Sequence, residues 1–436
     1  MKVLSKVINT LNSNEGTIRK RLISGAFWSV LGSSASNGIN IIAFIILARI
    51  ISQESYGELG IIRSTLNLFV VAAGMGLGNT ATKYIAQYRK LNPKYAGNIY
   101  ALSNVLSILI SIVAVCCLLL LSDSLATNSL KAPHLSTSIK LGAFVLFFTT
   151  INSIQSGALN GLEAFKKSSI NQILAGVIKN ILLLILGFYY GVEGCVVALG
   201  IGCILLGLLN LISISQEFSK FNITWDLKHF DKKTFEVIWK FSIPTLLSSL
   251  MVIPVLWWAK TILIGATGYA QMAIFDVADQ WSLAVIFVPS ALSNILLPIL
   301  SNTLSDGTRE QYLKLIKTNL LLNFLIASAI ALVIIVASPY LLELYGPEYN
   351  DCKPIIFMMI ATVCMAICNI AGQIVASQGE MWLGFLFNLI WAIYIILFIN
   401  LFKQYGALGL SLTLMCSYLL HLIGQIIYIY IKLRKK

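Results

Sequence analysis

Apolar stretches long enough to cross a bilayer follow one another along almost the whole 436-residue chain. A spanning helix needs roughly 20 mostly apolar residues, and in hydrocarbon only a helix or a closed barrel satisfies its own backbone. That ruler predicts twelve helices, over residues 23–49, 57–83, 97–121, 138–160, 168–190, 192–216, 240–264, 269–300, 315–337, 353–377, 382–402 and 406–431. Short polar connections separate them, several with glycine turn signals: Tyr190-Gly191, Gly265 to Gly268 and Gly346-Pro347. With 58% hydrophobic and 11% charged residues, the chain has too few charged groups to coat a soluble globule. The expected fold class is an all-α integral membrane protein.

The net charge of +13 then reads as topology, and a nucleic-acid partner is excluded. Basic residues concentrate in cytoplasmic loops. With the amino terminus placed in the cytoplasm, 23 of the 31 Lys and Arg fall on inner segments. Four lie outside (Arg49, Lys131, Lys353, Lys403) and four within apolar segments (Arg63, Lys140, Lys179, Lys260). That split fits an even number of helices with both termini in the cytoplasm. Met1 to Arg21 is polar and lacks an apolar core with a cleavage site, so no signal peptide is expected. The eight cysteines form no CxxC pair and read as small buried hydrophobes. The three histidines have no metal spacing, so neither metal nor cofactor is expected.

The longest polar stretch, about Glu217 to Trp239, divides the helices six and six. The expected organisation is an N-terminal lobe (1–217, helices one to six), a cytoplasmic linker (218–239) and a C-terminal lobe (240–436, helices seven to twelve). Weak internal repeats join the halves. Tyr190-Gly191-Val192-Glu193-Gly194 recurs as Tyr405-Gly406-Ala407-Leu408-Gly409, an offset of 215. Gln155, Ala158 and Gly161 match Gln373, Ala376 and Gly379 at 218, and Tyr56 matches Tyr269 at 213. Halves with six helices each are parallel, related by a pseudo-two-fold axis along the membrane normal, and such a pair encloses a central cavity. That is a transporter layout.

Ionisable residues inside a membrane are costly and point to function. Here they are Arg63, Lys179, Lys260, Asp276, Asp279 and the terminal Arg49. From the helical rise, Lys260 lies about 10 Å and Asp276 about 13 Å from the turn near Thr267, within reach of each other across the hairpin. Arg63 plus the repeat offset of 213 is Asp276, which places the two at equivalent depth. Two readings stand side by side. In one, these charges pair and lock the lobes. In the other, Arg49, Arg63 and Lys260 grip an anionic head group such as a pyrophosphate. Asp276 and Asp279, three residues apart, share a helix face. They could hold a proton between them and couple transport to H+ or Na+. Pro244 and Pro254 in helix seven, with Pro289 and Pro298 in helix eight, are candidate hinges. Trp257, Trp258 and Trp281 fit an interfacial belt, or stacking on sugars. No GxxxxGK[ST] phosphate loop, catalytic side-chain set or large outer loop is present, so an enzyme is not expected.

The run ILARIISQESYGELGIIRSTLNL, residues 46–68, resembles the first hairpin of bacterial polysaccharide exporters and O-antigen flippases. Asn79 to Arg89, Gly157 to Lys167, Phe241 to Leu250 and Gly372 to Leu386 look like the same family. The resemblance implies the multidrug/oligosaccharidyl-lipid/polysaccharide exporter fold. It further implies flipping of an undecaprenyl-pyrophosphate-linked oligosaccharide repeat unit, for O-antigen or a related surface polysaccharide, across the bacterial inner membrane. Membrane lipid, a polysaccharide polymerase and a chain-length regulator are the partners it brings. Arg49 and Arg63 lie inside a matching motif; Lys260, Asp276 and Asp279 rest on depth alone. A drug/cation antiporter of the same fold would want an acid-rich cavity, whereas intramembrane cations outnumber carboxylates here. A membrane-embedded polysaccharide polymerase would want a catalytic outer loop. A peptidoglycan-precursor flippase would show two further helices.

Overall fold

The computed structural model describes residues 14–74, 76–224, 251–306, 308–378 and 380–435. Most of the expected linker, the first residues of expected helix seven with Pro244, and Gly379 lie outside the described residues. Within them the regular structure is helical, with no strand. Eight helices are long and apolar enough to cross a membrane, or nine if the bent pair Gln53–Gly74 and Leu77–Tyr88 is one span. A shorter apolar helix, Met251–Thr267, holds Pro254. Expected and observed limits agree closely in places: 353–377 is Lys353–Ser377, and 382–402 is Met381–Phe402. Expected helix two, 57–83, is interrupted instead. Gly76 takes φ 66°, ψ 12° and starts a new helix.

Two of the eight apolar elements are hairpins. In Phe165–Phe221 the helical path breaks at Gly191, φ 56° and ψ −136°. Between Met381–Phe402 and Gly406–Lys435 the break is Gly406, φ 59° and ψ −135°. Side chains other than glycine scarcely enter that region. Three residues on, an added Cβ at Gly194 would sit 2.0 Å from the Leu186 carbonyl oxygen, and one at Gly409 the same 2.0 Å from that of Phe402. The two motifs matched in sequence therefore build the same corner. Contacts up the limbs follow. Asn171 Nδ2 donates to Asn210 Oδ1 at 3.0 Å in the first hairpin. Trp391 and Tyr418 meet at a centroid distance of 5.3 Å in the second.

By contacts the chain forms two compact units. One comprises Met1–Phe44, Phe69–Leu120 and Lys140–Leu246; the other comprises Ile45–Leu68, Leu121–Ile139 and Leu247–Lys436. The first packs an apolar cluster around Leu77, Ile85, Leu159 and Phe218. Elsewhere in this unit polar side chains pair: Lys179 Nζ and Asn180 Nδ2 both donate to Asn40 Oδ1 at 2.9 Å. Lys179, one of the intramembrane cations, is thus held by a neighbouring helix. Arg89 and Glu163 form an ion pair in the same unit. The second unit has its own cluster around Leu300, Ile316, Ile370 and Ile374.

Candidate functional site

In the second unit, residues 53–68 and the helix Tyr269–Asp306 come into backbone contact, and two glycines permit it. A Cβ at Gly57 would lie 2.0 Å from the Tyr269 carbonyl oxygen and 3.0 Å from the Ala273 nitrogen. One at Gly60 would lie 3.1 Å from the Asp276 carboxyl carbon. Small residues at a helix interface let membrane helices approach this closely. One turn further, Arg63 Nη1 stands 3.4 Å from Asp276 Oδ2. Asp276 is 6% exposed, while the Arg63 side chain keeps 34%. Gln280, one turn past Asp276, donates from Nε2 to Asp276 Oδ2 at 3.1 Å and to the Tyr56 hydroxyl at 2.6 Å.

Aromatic rings close over this cluster. Tyr349 meets Tyr56 edge-on at 6.2 Å, and Tyr345 lies 5.7 Å from Tyr349. Both belong to the connection after Arg309–Glu343, and burial raises their hydroxyl pKa values. They therefore remain neutral phenols. Nearby, Trp257 Nε1 donates to Thr65 Oγ1 at 2.8 Å. Arg49 grips the end of another helix: Nε donates to the Leu344 carbonyl at 2.6 Å and Nη2 to that of Glu343 at 2.8 Å. A cation at a helix C-terminus meets carbonyls lacking helical partners and the negative end of the dipole. Gln53 Nε2 adds a bond to the Glu348 carbonyl at 3.1 Å.

The sequence places Lys260 within reach of Asp276, but its partner is Asp279, Nζ to Oδ2 at 3.2 Å. Positions three apart on a helix differ by about 60° around its axis. That is enough for Asp276 to face Arg63 and for Asp279 to face Met251–Thr267. Arg63 and Asp276, matched by the repeat offset of 213, are in direct contact. All five charged candidates, Arg49, Arg63, Lys260, Asp276 and Asp279, fall in one compact unit. Tyr56, Gln280, Tyr345 and Tyr349 escape a search for charges. Gln280 carries a signal, standing one turn from Asp276 on the same face. Tyr345 and Tyr349 lie in a loop without periodicity and carry none.

Chemically, the cluster holds a partly exposed guanidinium against a buried carboxylate. Such a pair can exchange partners.

Residues 22–304 match the model of the family described as "Polysaccharide biosynthesis protein". Over 194 residues the chain is 25% identical to the EPS I polysaccharide export inner membrane protein EpsE of Ralstonia nicotianae, a match covering 43% of this chain and 44% of that protein. The chain thus spans less than half the length of that curated relative. It is 24% identical to the uncharacterized membrane protein MJ1375 of Methanocaldococcus jannaschii, over 94% of this chain and 99% of the other. Among solved structures, it resembles the inward-facing conformation of a multidrug resistance MATE family transporter of the MOP superfamily. The TM-score is 0.79 at 16% identity, covering 94% and 99% of the two chains. A MOP superfamily transporter from Pyrococcus furiosus gives 0.70 at 16% identity, over 96% and 97%. The helical fold is that of these transporters, and by the match of 22–304 the chain belongs to the polysaccharide biosynthesis protein family.

Proposed function

We propose that this protein is a flippase that carries an undecaprenyl-pyrophosphate-linked oligosaccharide from the cytoplasmic to the periplasmic leaflet of a bacterial inner membrane. Membership of the polysaccharide biosynthesis family, the export role in the name of the Ralstonia relative and the transporter fold support this reading. The observation that carries it is the Arg63–Asp276 pair. A half-open guanidinium with a long 3.4 Å contact is suited to trade its carboxylate for a pyrophosphate, which an arginine can grip bidentately. Arg49 and Lys260 supply further positive charge in the same unit. The head group travels inside the protein while the polyprenyl tail stays in lipid.

In this reading Asp276 and Asp279 are the coupling groups. When the pyrophosphate takes Arg63, the buried Asp276 carboxylate binds H+ or Na+ and ties substrate movement to the ion gradient. The reading assigns alternating access to the lobes 1–217 and 240–436, joined by the linker 218–239, with Pro244 and Pro254 as hinges. Both termini stay in the cytoplasm, and the product is handed to a polymerase and a chain-length regulator. The second reading, drug/cation antiport, draws on the likeness to multidrug transporters, which is one of fold alone. It predicts that carboxylates, not arginines, are indispensable.

The test is export in cells. Arg63→Ala should make lipid-linked repeat units accumulate on the cytoplasmic side, with surface polysaccharide lost. Normal surface polysaccharide in that variant would sink the role given to Arg63. Drug efflux from otherwise sensitive cells would favour the antiporter.

A further inference from the structure

A cavity of about 460 Å³ opens among Met251–Thr267, Lys353–Ser377 and the second hairpin. It shares no lining residue with the Arg63–Asp276 cluster, and among the described residues no Asp, Glu, Lys or Arg lines it. Its polar groups are neutral: Asn369, Gln373, Asn388, His421 and Gln425. They fall at helical spacing, Asn369 with Gln373 and His421 with Gln425, so each helix turns one polar stripe inward. Gly372 and Gly384 also face it, and an added Cβ at either would meet nothing within 4 Å. The volume lies within the range of about 300–1,000 Å³ typical of small-molecule sites.

The hydrogen-bond inventory identifies the class of ligand. Gln425 Nε2 lies 2.9 Å from His421 Nε2. Gln425 is 4% exposed, yet its Oε1 has no hydrogen-bond partner; Trp391, 2% exposed, likewise has an unpartnered indole N–H. Buried polar atoms without partners are rare and call for an explanation. Amides both donate and accept, as a hydroxyl does, and a cavity lined by several amides matches a polyol. An organic cation would want a carboxylate or open aromatic faces. Among the described residues no carboxylate lines the cavity, and of its three aromatic side chains, Phe385, Trp391 and Tyr418, the last two pack on each other at 5.3 Å.

We infer that this cavity is a binding subsite for uncharged sugar rings, distinct from the charged cluster that takes the head group. It rests on the flippase reading for its place in transport, and its location fits. It lies toward the end of the hairpin where Glu380 meets Lys432, the same end as the C-terminus and hence the loading side in that reading.

The experiment uses full-length protein in lipid nanodiscs and saturation-transfer NMR. The probes are methyl glycosides of glucose, galactose and N-acetylglucosamine, with maltotriose and tetraphenylphosphonium. The wild type should give a signal from neutral sugars that tetraphenylphosphonium does not displace. Gly384→Leu and Gly372→Leu fill open space within helices, where leucine is the better helix former, and should cut that signal about tenfold, as should Gln425→Leu through a lost hydrogen bond to each sugar. Gly38→Ala, with open space around it, should leave it intact. Absence of signal from every neutral sugar, its survival in both glycine variants, or displacement by tetraphenylphosphonium would overturn the assignment. Sugar binding that follows this pattern in a protein that fails to export would defeat the flippase reading alone. Intact export without cavity binding would defeat this inference alone.

Discussion

The two partners of the Arg63–Asp276 pair differ in exposure, and that difference makes an asymmetric prediction. Arg63→Ala leaves the Asp276 carboxylate, 8% exposed in its side chain, with Gln280 as a neutral donor. Removing one partner of a buried pair costs about 3–5 kcal/mol, and the Gln280 bond argues for the lower end, about 3 kcal/mol. Asp276→Asn instead leaves a guanidinium that is already 34% exposed. It is the more exposed and less desolvated partner, so its loss is smaller, about 1 kcal/mol. The gap of about 2 kcal/mol corresponds to roughly a 30-fold change in the unfolding equilibrium. For a unit of this size it should appear as about 5 °C between the two melting temperatures. The combined variant Arg63→Ala/Asp276→Ala strands neither charge and should melt above Arg63→Ala alone. The assay is thermal unfolding of detergent-purified protein, followed by thiol-reactive fluorescence and by loss of the monodisperse elution peak. Equal melting temperatures for the single variants, or a double variant worse than both, would refute the burial argument.

The hairpin corners make a matched pair of predictions. Gly191→Ala and Gly406→Ala should each cost about 1–3 kcal/mol for forcing a Cβ into that backbone region, read as similar drops in melting temperature. Gly57→Val should be worse than either, because the added carbons meet the Tyr269 carbonyl at 2.0 Å. It should abolish the monodisperse peak rather than shift it, whereas Gly38→Ala, with open space around it, should be silent. Arg49→Lys keeps the charge but presents a single ammonium in place of two N–H groups aimed at the Glu343 and Leu344 carbonyls. It should lower stability by about 1 kcal/mol and retain part of export, where Arg49→Ala loses more of both.

Helix positions were legible in the sequence because bilayer thickness imposes a length that apolar runs either meet or miss. The corner at Gly191 was legible too, since Tyr190-Gly191 interrupts an otherwise continuous apolar run and recurs at Tyr405-Gly406. The break at Gly76 was not, because glycine is common inside membrane helices and its φ of 66° leaves no mark on composition. Of the site, the charges and their depths could be read, and the offset of 213 drew attention to Arg63 and Asp276 together. Which carboxylate each cation meets could not. That depends on how helices rotate against each other, which Gly57 and Gly60 fix by admitting the Tyr269–Asp306 backbone at one register. The amide-lined cavity leaves a fainter mark: amides carry no charge to stand out against an apolar helix, although the spacing of Asn369 with Gln373 and of His421 with Gln425 is plain in the chain.

The single-glycine corners also bear on how the chain enters the membrane during synthesis. A loop between two spanning segments must normally be dragged across the hydrocarbon or wait on the side where it was made. At Gly191 there is almost no loop to move: the limbs run from Phe165 to Phe221 with one residue out of helical conformation. Neither limb can reach its final depth while its partner is still inside the ribosome without leaving the amide pairs, such as Asn171 with Asn210, facing lipid. Each hairpin should therefore leave the insertion machinery sideways as a joined pair, and the pulling force on the nascent chain should peak once per hairpin instead of once per helix.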